Sequence, residues 1–370
     1  MPPHPPLKDL TTTNITPNTH LQNSSCPSPR LLFLLTRLTT HLHDFARETR
    51  LTTTEWATAL SFLAETGQTT TPTRNEFILL SDILGLSLLV DAINHPTPRH
   101  STATESTVLG PFHTHDAPVL EAGDTLSHDA AGEPMLALCS VRDMAGDPIS
   151  GVKVDVWETD STGHYDVQHS GRVRADGRGV LRSDGAGGFW FRAIKPVSYP
   201  IPHDGTVGRL LGALGRHPWR PAHVHFMFEK EGEGDGEGDG EGGWEKLVTA
   251  LYLRGDPYES SDAVFGVKQS LVVDLHPLTD PAEAERYNVP LGTAVLRHDF
   301  VLVRKEEAAA LRERNSVEAL GKIGLGVGSE MEMGMGMKMR VRMEGGLSSD
   351  SLWLYLLLDG HDISNRPPAR

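Results

Sequence analysis

Two imidazoles and two phenols are the side chains of this protein best suited to hold a metal ion. His223 and His225 stand two apart in the stretch Arg216-His217-Pro218-Trp219-Arg220-Pro221-Ala222-His223-Val224-His225-Phe226-Met227-Phe228. On a strand, residues two apart point to one face, and two imidazoles on one face make a natural metal pair. Alone, the pair leaves two readings open: a metal site, or a His pair without a ligand. Tyrosine narrows the choice. The chain has only six, and two sit in turn-like settings upstream of the pair. Tyr165 lies in Thr162-Gly163-His164-Tyr165-Asp166, and Tyr199 in Lys195-Pro196-Val197-Ser198-Tyr199-Pro200. Each alone reads as a half-buried packing residue. With the His pair they form a Tyr₂His₂ set. Two phenolates are hard anionic donors that favour a trivalent cation and lower its reduction potential, so the set predicts iron held as Fe(III).

A rival donor set starts from the same pair. His-x-His also opens the cupin metal motif, with Glu229 where a cupin carboxylate would stand. His217 stands where a cupin would start with Gly, and no later His-containing motif follows.

These residues need elements to position them. Leu31, Leu34, Leu35, Leu38, Leu42 and Phe45 recur at helical spacing. A second helix starts near Thr52–Thr54, carries Trp56, Leu60 and Leu63, and stops at Gly67. A third runs from about residue 75 to 94. After His95 the texture changes to short apolar stretches cut by Gly, Pro, Asp and Asn. Val152, Val154 and Val156 alternate with Lys153, Asp155 and Trp157, the period of a strand with one buried face. Residues 135–141, 188–194, 222–228, 247–253, 269–274 and 294–303 read similarly. The expected fold is mainly β: an antiparallel β-sandwich catalytic domain over 99–305, preceded by an α-helical unit over 29–98. Residues 1–28, rich in Pro, Thr and Asn, read as an arm without structure. Residues 231–243 hold only six acids and seven glycines, a flexible insertion. The tail, 306–370, carries six of the ten Met residues between 331 and 343 and reads as disordered.

Composition excludes several function classes. The 370 residues include 49 acids against 34 bases, for a net charge of −15, which argues against a nucleic-acid binder. The acidity belongs partly to the insertion and says little about a substrate. Two cysteines, Cys26 and Cys139, allow no disulfide framework. No apolar run reaches the length of a membrane span, and no secretory signal stands at the start. A cytoplasmic protein is the expectation.

With these residues in view, the chain resembles the intradiol ring-cleavage dioxygenases, in their catechol and hydroxyquinol 1,2-dioxygenase branch. The resemblance covers roughly residues 10–305. It rests on Asp155-Val156-Trp157-Glu158-Thr159-Asp160, the Gly163-His164-Tyr165 turn, Phe191-Arg192-Ala193-Ile194-Lys195-Pro196, and Arg220-Pro221-Ala222-His223-Val224-His225. It continues through Gly255-Asp256-Pro257-Tyr258 and Ser261-Asp262-Ala263-Val264-Phe265-Gly266. The resemblance implies one non-haem ferric ion per subunit, held by Tyr165, Tyr199, His223 and His225. It implies cleavage of a catechol-type diol with both atoms of O₂ entering the product. Tyr199 is the ligand expected to dissociate and take a substrate proton, and Arg220 to stabilise charge developing on the substrate carbon. It further implies a homodimer through the N-terminal helices. Some relatives hold a phospholipid between them, and plain dimer core is the simpler reading here.

The resemblance also assigns a substrate wall: Val108, Leu109, Gly110, Pro111 and Phe112 in one loop, Leu79 and Asp82 on the third helix, and Ile201, Pro202 and Val264. Asp82 and Phe112 match hydroxyquinol enzymes more than catechol enzymes. A carboxylate there could accept a hydrogen bond from a third ring hydroxyl, which catechol lacks; the alternative for Asp82 is a solvent-facing helix residue. One departure is Ala250, where many bacterial relatives carry Gln or His. The sequence therefore reads as a hydroxyquinol 1,2-dioxygenase forming maleylacetate, with catechol cleavage to cis,cis-muconate as the alternative substrate reading. A cupin-like metalloprotein and a metal-free β-sandwich binding module are the rivals from other classes.

Overall fold

The computed structural model describes residues 9–71, 74–98, 101–172, 174–230, 243–322, 330–332, 338–343 and 354–358. The acidic stretch 231–242 and residues 333–337 of the Met-rich tract lie outside the described residues. Contacts divide the chain into two units, Met1–Ser61 with Glu313–Arg370, and Phe62–Arg312.

The helical part has five helices where periodicity predicts three: α1 (Ile15–Asn23), α2 (Pro29–Thr49), α3 (Thr53–Thr69), α4 (Glu76–Ile83) and α5 (Leu86–Asn94). Helix α1 falls inside the expected arm. Polar contacts to α2, such as Thr16 Oγ1 to His43 Nδ1 at 2.9 Å, hold it in place of an apolar stripe, so periodicity carries no sign of it. Helix α2 starts where Ser28 caps the Leu31 amide and Pro29 takes the first turn. Only Leu32, Phe33 and Thr36 of α2 are buried. The predicted apolar face of Leu31, Leu34, Leu35, Leu38, Leu42 and Phe45 is exposed. Thr52 and Glu55 form a reciprocal cap at the start of α3, and the helix runs two residues past Gly67. The single helix expected over 75–94 is broken at Gly85, whose φ of +74° suits glycine and stops α4.

Among the described residues the second unit is built on two large sheets. Its strands are β1 (Pro134–Arg142), β2 (Lys153–Trp157), β3 (Arg178–Arg182), β4 (Gly188–Ile194), β5 (Tyr199–Pro200), β6 (Trp219–Arg220), β7 (His223–Glu229), β8 (Leu247–Leu253), β9 (Val272–Val273), β10 (Leu275–Pro277) and β11 (Ala294–Val301). Helices α6 (Thr206–Ala213) and α7 (Pro281–Tyr287) interrupt them. One sheet has the order β3-β2-β7-β8-β9 and the other β10-β11-β1-β4, with β5 and β6 paired as a separate two-stranded one. The sheets are mixed rather than purely antiparallel: β1 runs parallel to β11, and β8 to β9. Local alternation cannot reveal this, because β1 and β11 come from opposite ends of the region and long connections permit parallel pairing. The core between the sheets is filled by alternate residues of each strand, among them Val154, Val156, Phe189, Phe191, Val224, Phe226, Phe228 and Phe300.

Part of the tail expected to be disordered carries elements, while residues 323–329, 333–337, 344–353 and 359–370 lie outside the described residues. Helix α8 (Lys305–Lys322) begins the tail. Further on, β12 (Glu330–Glu332), β13 (Lys338–Met343) and β14 (Leu354–Leu358) pair antiparallel.

Candidate metal centre

Strand β7 turns Val224, Phe226 and Phe228 into the core, so His223, His225 and Met227 must point to the opposite face. The neighbouring strands share that parity. Trp157 of β2 and Ala250 of β8 stand opposite His225, and Tyr252 stands opposite His223. The candidate site is therefore on the face of the five-stranded sheet turned away from the core.

The phenols reach it from two turns. Asp160 holds the first by accepting hydrogen bonds from the Thr162 amide at 2.8 Å and the His164 amide at 3.1 Å. Gly163 has φ of +80°, and a Cβ there would lie 3.0 Å from the Tyr199 Cβ, so only glycine lets the two tyrosine segments approach. Phe112 stacks on the Tyr165 ring at 4.7 Å. Tyr199 is set by β5, where it pairs with Arg220 of β6.

All four candidate ligands are buried to 3% exposure or less, and their polar atoms converge. The Tyr165 hydroxyl donates to the Tyr199 hydroxyl at 3.3 Å. His223 Nε2 lies 3.0 Å from His225 Nε2. His223 Nδ1 is 2.7 Å from the Pro221 carbonyl, so it carries the hydrogen and leaves the Nε2 lone pair facing inward. Donors each about 2 Å from one cation stand about 3 Å apart, so this spacing fits a bound metal. Burial pushes the Tyr165 phenol well above its usual range, with Tyr199 adding to the rise. Burial likewise drives both imidazoles well below theirs, His223 and His225 with Arg220 reinforcing. Neutral imidazoles are competent ligands, and a bound trivalent cation supplies what ionises a buried phenol. Among the described residues no group of three or more His, Cys, Asp and Glu could hold a metal; the two phenols complete the candidate set.

Glu229, the carboxylate of the cupin alternative, is taken by Lys153 and Lys246 at the far end of β7. Arg220 is 2% exposed. Its Nε and Nη2 donate to Asp262 at 3.1 and 3.2 Å, while Nη1 points to the Tyr199 hydroxyl at 3.4 Å. Burial opposes its charge, but Asp262, Tyr199 and Tyr252 outweigh this and keep it protonated.

Leu79, Val108, Ile201 and Val264 share one buried apolar cluster with Ile83 and Val207. Asp82 is 5% exposed, not solvent-facing. Burial pushes its carboxyl up, opposed by a hydrogen bond to Ser87 and the charge of Arg220. Gly110 approaches closely, since a Cβ there would lie 3.9 Å from His225 Nε2. Phe112, Ile201 and Pro202 line an open cleft of ≈ 420 Å³ with Arg74, His164 and His203. Pro111 is half-buried, and Leu109 is 41% exposed, the least enclosed member of the predicted wall. Three participants escape a reading of the sequence alone. Trp157 stacks flat on His225 at 4.8 Å, Asp262 holds Arg220, and Tyr252 accepts a hydrogen bond from Arg220 Nη2 at 3.0 Å. Cross-strand register is the signal that finds Trp157 and Tyr252.

Known proteins resemble this chain over most of its length. Residues 28–102 match the family described as Catechol dioxygenase N terminus, and residues 108–303 the family described as Dioxygenase. An intradiol ring-cleavage dioxygenase of Aspergillus niger, hqdA, is 60% identical over 320 residues, 86% of this chain and 93% of its own length. The 6-chlorohydroxyquinol 1,2-dioxygenase of Cupriavidus pinatubonensis is 45% identical over 78% of this chain and 96% of its own. The crystal structure of hydroxyquinol 1,2-dioxygenase from Pseudomonas putida DLL-E4 superposes with a TM-score of 0.71 at 40% identity, covering 79% of this chain and 98% of that one.

Proposed function

The chain belongs to the intradiol ring-cleavage dioxygenase family, and from that premise we propose that it cleaves hydroxyquinol with O₂ to maleylacetate at a Tyr₂His₂ ferric centre. The observation that carries the metal is the convergence of two buried phenols and two buried imidazoles on one sheet face. Tyr165, Tyr199, His223 and His225 would hold the ion. When bound, Fe(III) supplies a template that chelates the diol and couples its electrons to O₂.

The protein's own residues do the rest. Tyr199 Oη is the base that takes a substrate proton as the diol binds. Arg220 Nη1, beside that oxygen, offers a fixed cation to charge developing on the ring. Leu79, Val108, Ile201 and Val264 exclude water, which strengthens each electrostatic contact inside. Phe112, stacked on Tyr165, keeps that phenol in place. Gly110, Pro111 and Pro202 shape the opening, and Leu109 stands at its rim.

The choice of hydroxyquinol over catechol rests on Asp82, a buried carboxyl on α4 among otherwise apolar wall residues. A third ring hydroxyl gives it a partner that catechol cannot. The names of the bacterial relatives support the same substrate. Oxygen uptake with the two diols side by side tests it. A preference for hydroxyquinol is expected, and equal rates or a preference for catechol would remove Asp82 from the argument.

The proposal extends to assembly and location. The exposed leucine face of α2 suits a second copy of the helical unit, 29–98, making a homodimer. A phospholipid could occupy part of such an interface, which mass spectrometry of an organic extract would detect. Cys26 and Cys139 are free thiols, which suits the cytosol. Among the described residues no helix is long and apolar enough to cross a membrane.

A further inference from the structure

Strand β8 turns Val248, Ala250 and Tyr252 to the metal face, where they stand opposite Met227, His225 and His223. Of the three, only Tyr252 carries a polar group, and it is fully buried. Its ring lies 5.1 Å from the His223 ring, yet its hydroxyl turns to Arg220. We propose that Tyr252 is a positioning residue that aims the Arg220 guanidinium at Tyr199. This rests on the role given to Arg220 above.

The donor inventory of Arg220 carries the inference. A guanidinium has five N–H groups in a rigid plane. Nε and one Nη2 hydrogen go to the two oxygens of Asp262. The second Nη2 hydrogen goes to the Tyr252 hydroxyl at 3.0 Å. Nη1 is left for the site, 3.4 Å from Tyr199 Oη and 3.2 Å from His223 Nε2. Remove the Tyr252 hydroxyl and one charged N–H has no partner in a dry site. The plane then gains by tilting on the Asp262 fork, which carries Nη1 away from Tyr199.

Tyr252 is itself anchored. Its ring packs in a buried cluster with Ala250, Leu271 and Val272. The Gly266 amide donates to Asp262 at 2.9 Å, which fixes the carboxylate that holds the guanidinium. A Cβ at Gly266 would lie 2.7 Å from the Tyr252 hydroxyl and 2.8 Å from Arg220 Nη2. A methyl group there would push the pair apart.

The test compares Tyr252→Phe, Gly266→Ala, Arg220→Lys and the double variant Tyr252→Phe/Arg220→Lys in the iron-loaded protein. Tyr252→Phe should retain the wild-type iron content and visible band, because no metal donor changes. Its KM for hydroxyquinol should stay within about twofold while kcat falls about ten- to a hundredfold. Gly266→Ala should move kcat in the same direction. In the double variant the two losses should not add, because Tyr252 acts through the guanidinium that Lys lacks. An unchanged kcat in Tyr252→Phe, additive losses, or loss of iron from that variant would each overturn the proposal. A wild-type protein that binds no iron, or takes up no O₂ with a diol, would instead overturn the function proposed above, and this inference with it.

Discussion

At the scale of the residue, the reaction depends on a few side chains that each have one task. Asp82 is proposed to discriminate between the two diols. Asp82→Asn should lower the ratio of kcat/KM for hydroxyquinol over catechol by about tenfold or more, the worth of a hydrogen bond to a charged group. Steady-state kinetics with both diols checks this; an unchanged ratio would assign selectivity elsewhere. Gly163 permits. Gly163→Ala places a methyl against Tyr199 at a φ of +80°, a strain of about 1–2 kcal/mol. The melting temperature should fall and the visible band should shift together, since the displaced residue is a proposed ligand. The His pair was legible because a strand has period two, and two imidazoles at that spacing must share a face. The tyrosines were legible through their scarcity and their turns. Tyr252 was not, because its meaning depends on a register between β7 and β8 that no local pattern encodes.

At the scale of the element, amphipathic pattern identified where helices form but not what they cover. The apolar stripe of α2 forms one face, and it is exposed on this chain. Leu38→Glu with Leu42→Glu should therefore convert the proposed dimer to a monomer in sedimentation velocity. A sedimentation coefficient that does not change would show that the face serves something other than self-association. The break at Gly85 escaped because a glycine within an apolar run is compatible with one helix or two; a left-handed φ decides it. The parallel pairing of β1 with β11 escaped for the reason Tyr252 did, since distant strands choose partners by tertiary packing. Alternation still located β1, β2, β4, β7 and β8 well enough to place the His pair on the outer sheet face.

At the scale of the whole molecule, buried titratable groups make stability depend on pH. Glu158 is 1% exposed, accepts a hydrogen bond from the Ile194 amide, and has no partner for its second oxygen. Burial raises its carboxyl well above 4.5, with Asp176 adding and the Ile194 amide opposing. The folded state then holds a proton that the unfolded state releases, so stability falls as pH rises from the ordinary carboxyl range towards the raised value. Glu158→Gln keeps the acceptor and removes the titration. Its melting temperature should exceed that of the wild type, by a margin that widens with pH above about 4.5; a constant margin would contradict the raised carboxyl. Net charge, by contrast, is a poor guide to chemistry, since six acids sit in one compositional insertion and the candidate site is made of imidazoles, phenols and one paired arginine.

The visible absorption spectrum of the iron-loaded protein tests the central claim most directly. Ferric ion bound by phenolates gives a charge-transfer band, so the wild-type protein should be reddish, and Tyr165→Phe and Tyr199→Phe should each shift or abolish the band. A colourless wild-type protein after iron loading, or a band indifferent to both substitutions, would contradict the Tyr₂His₂ centre.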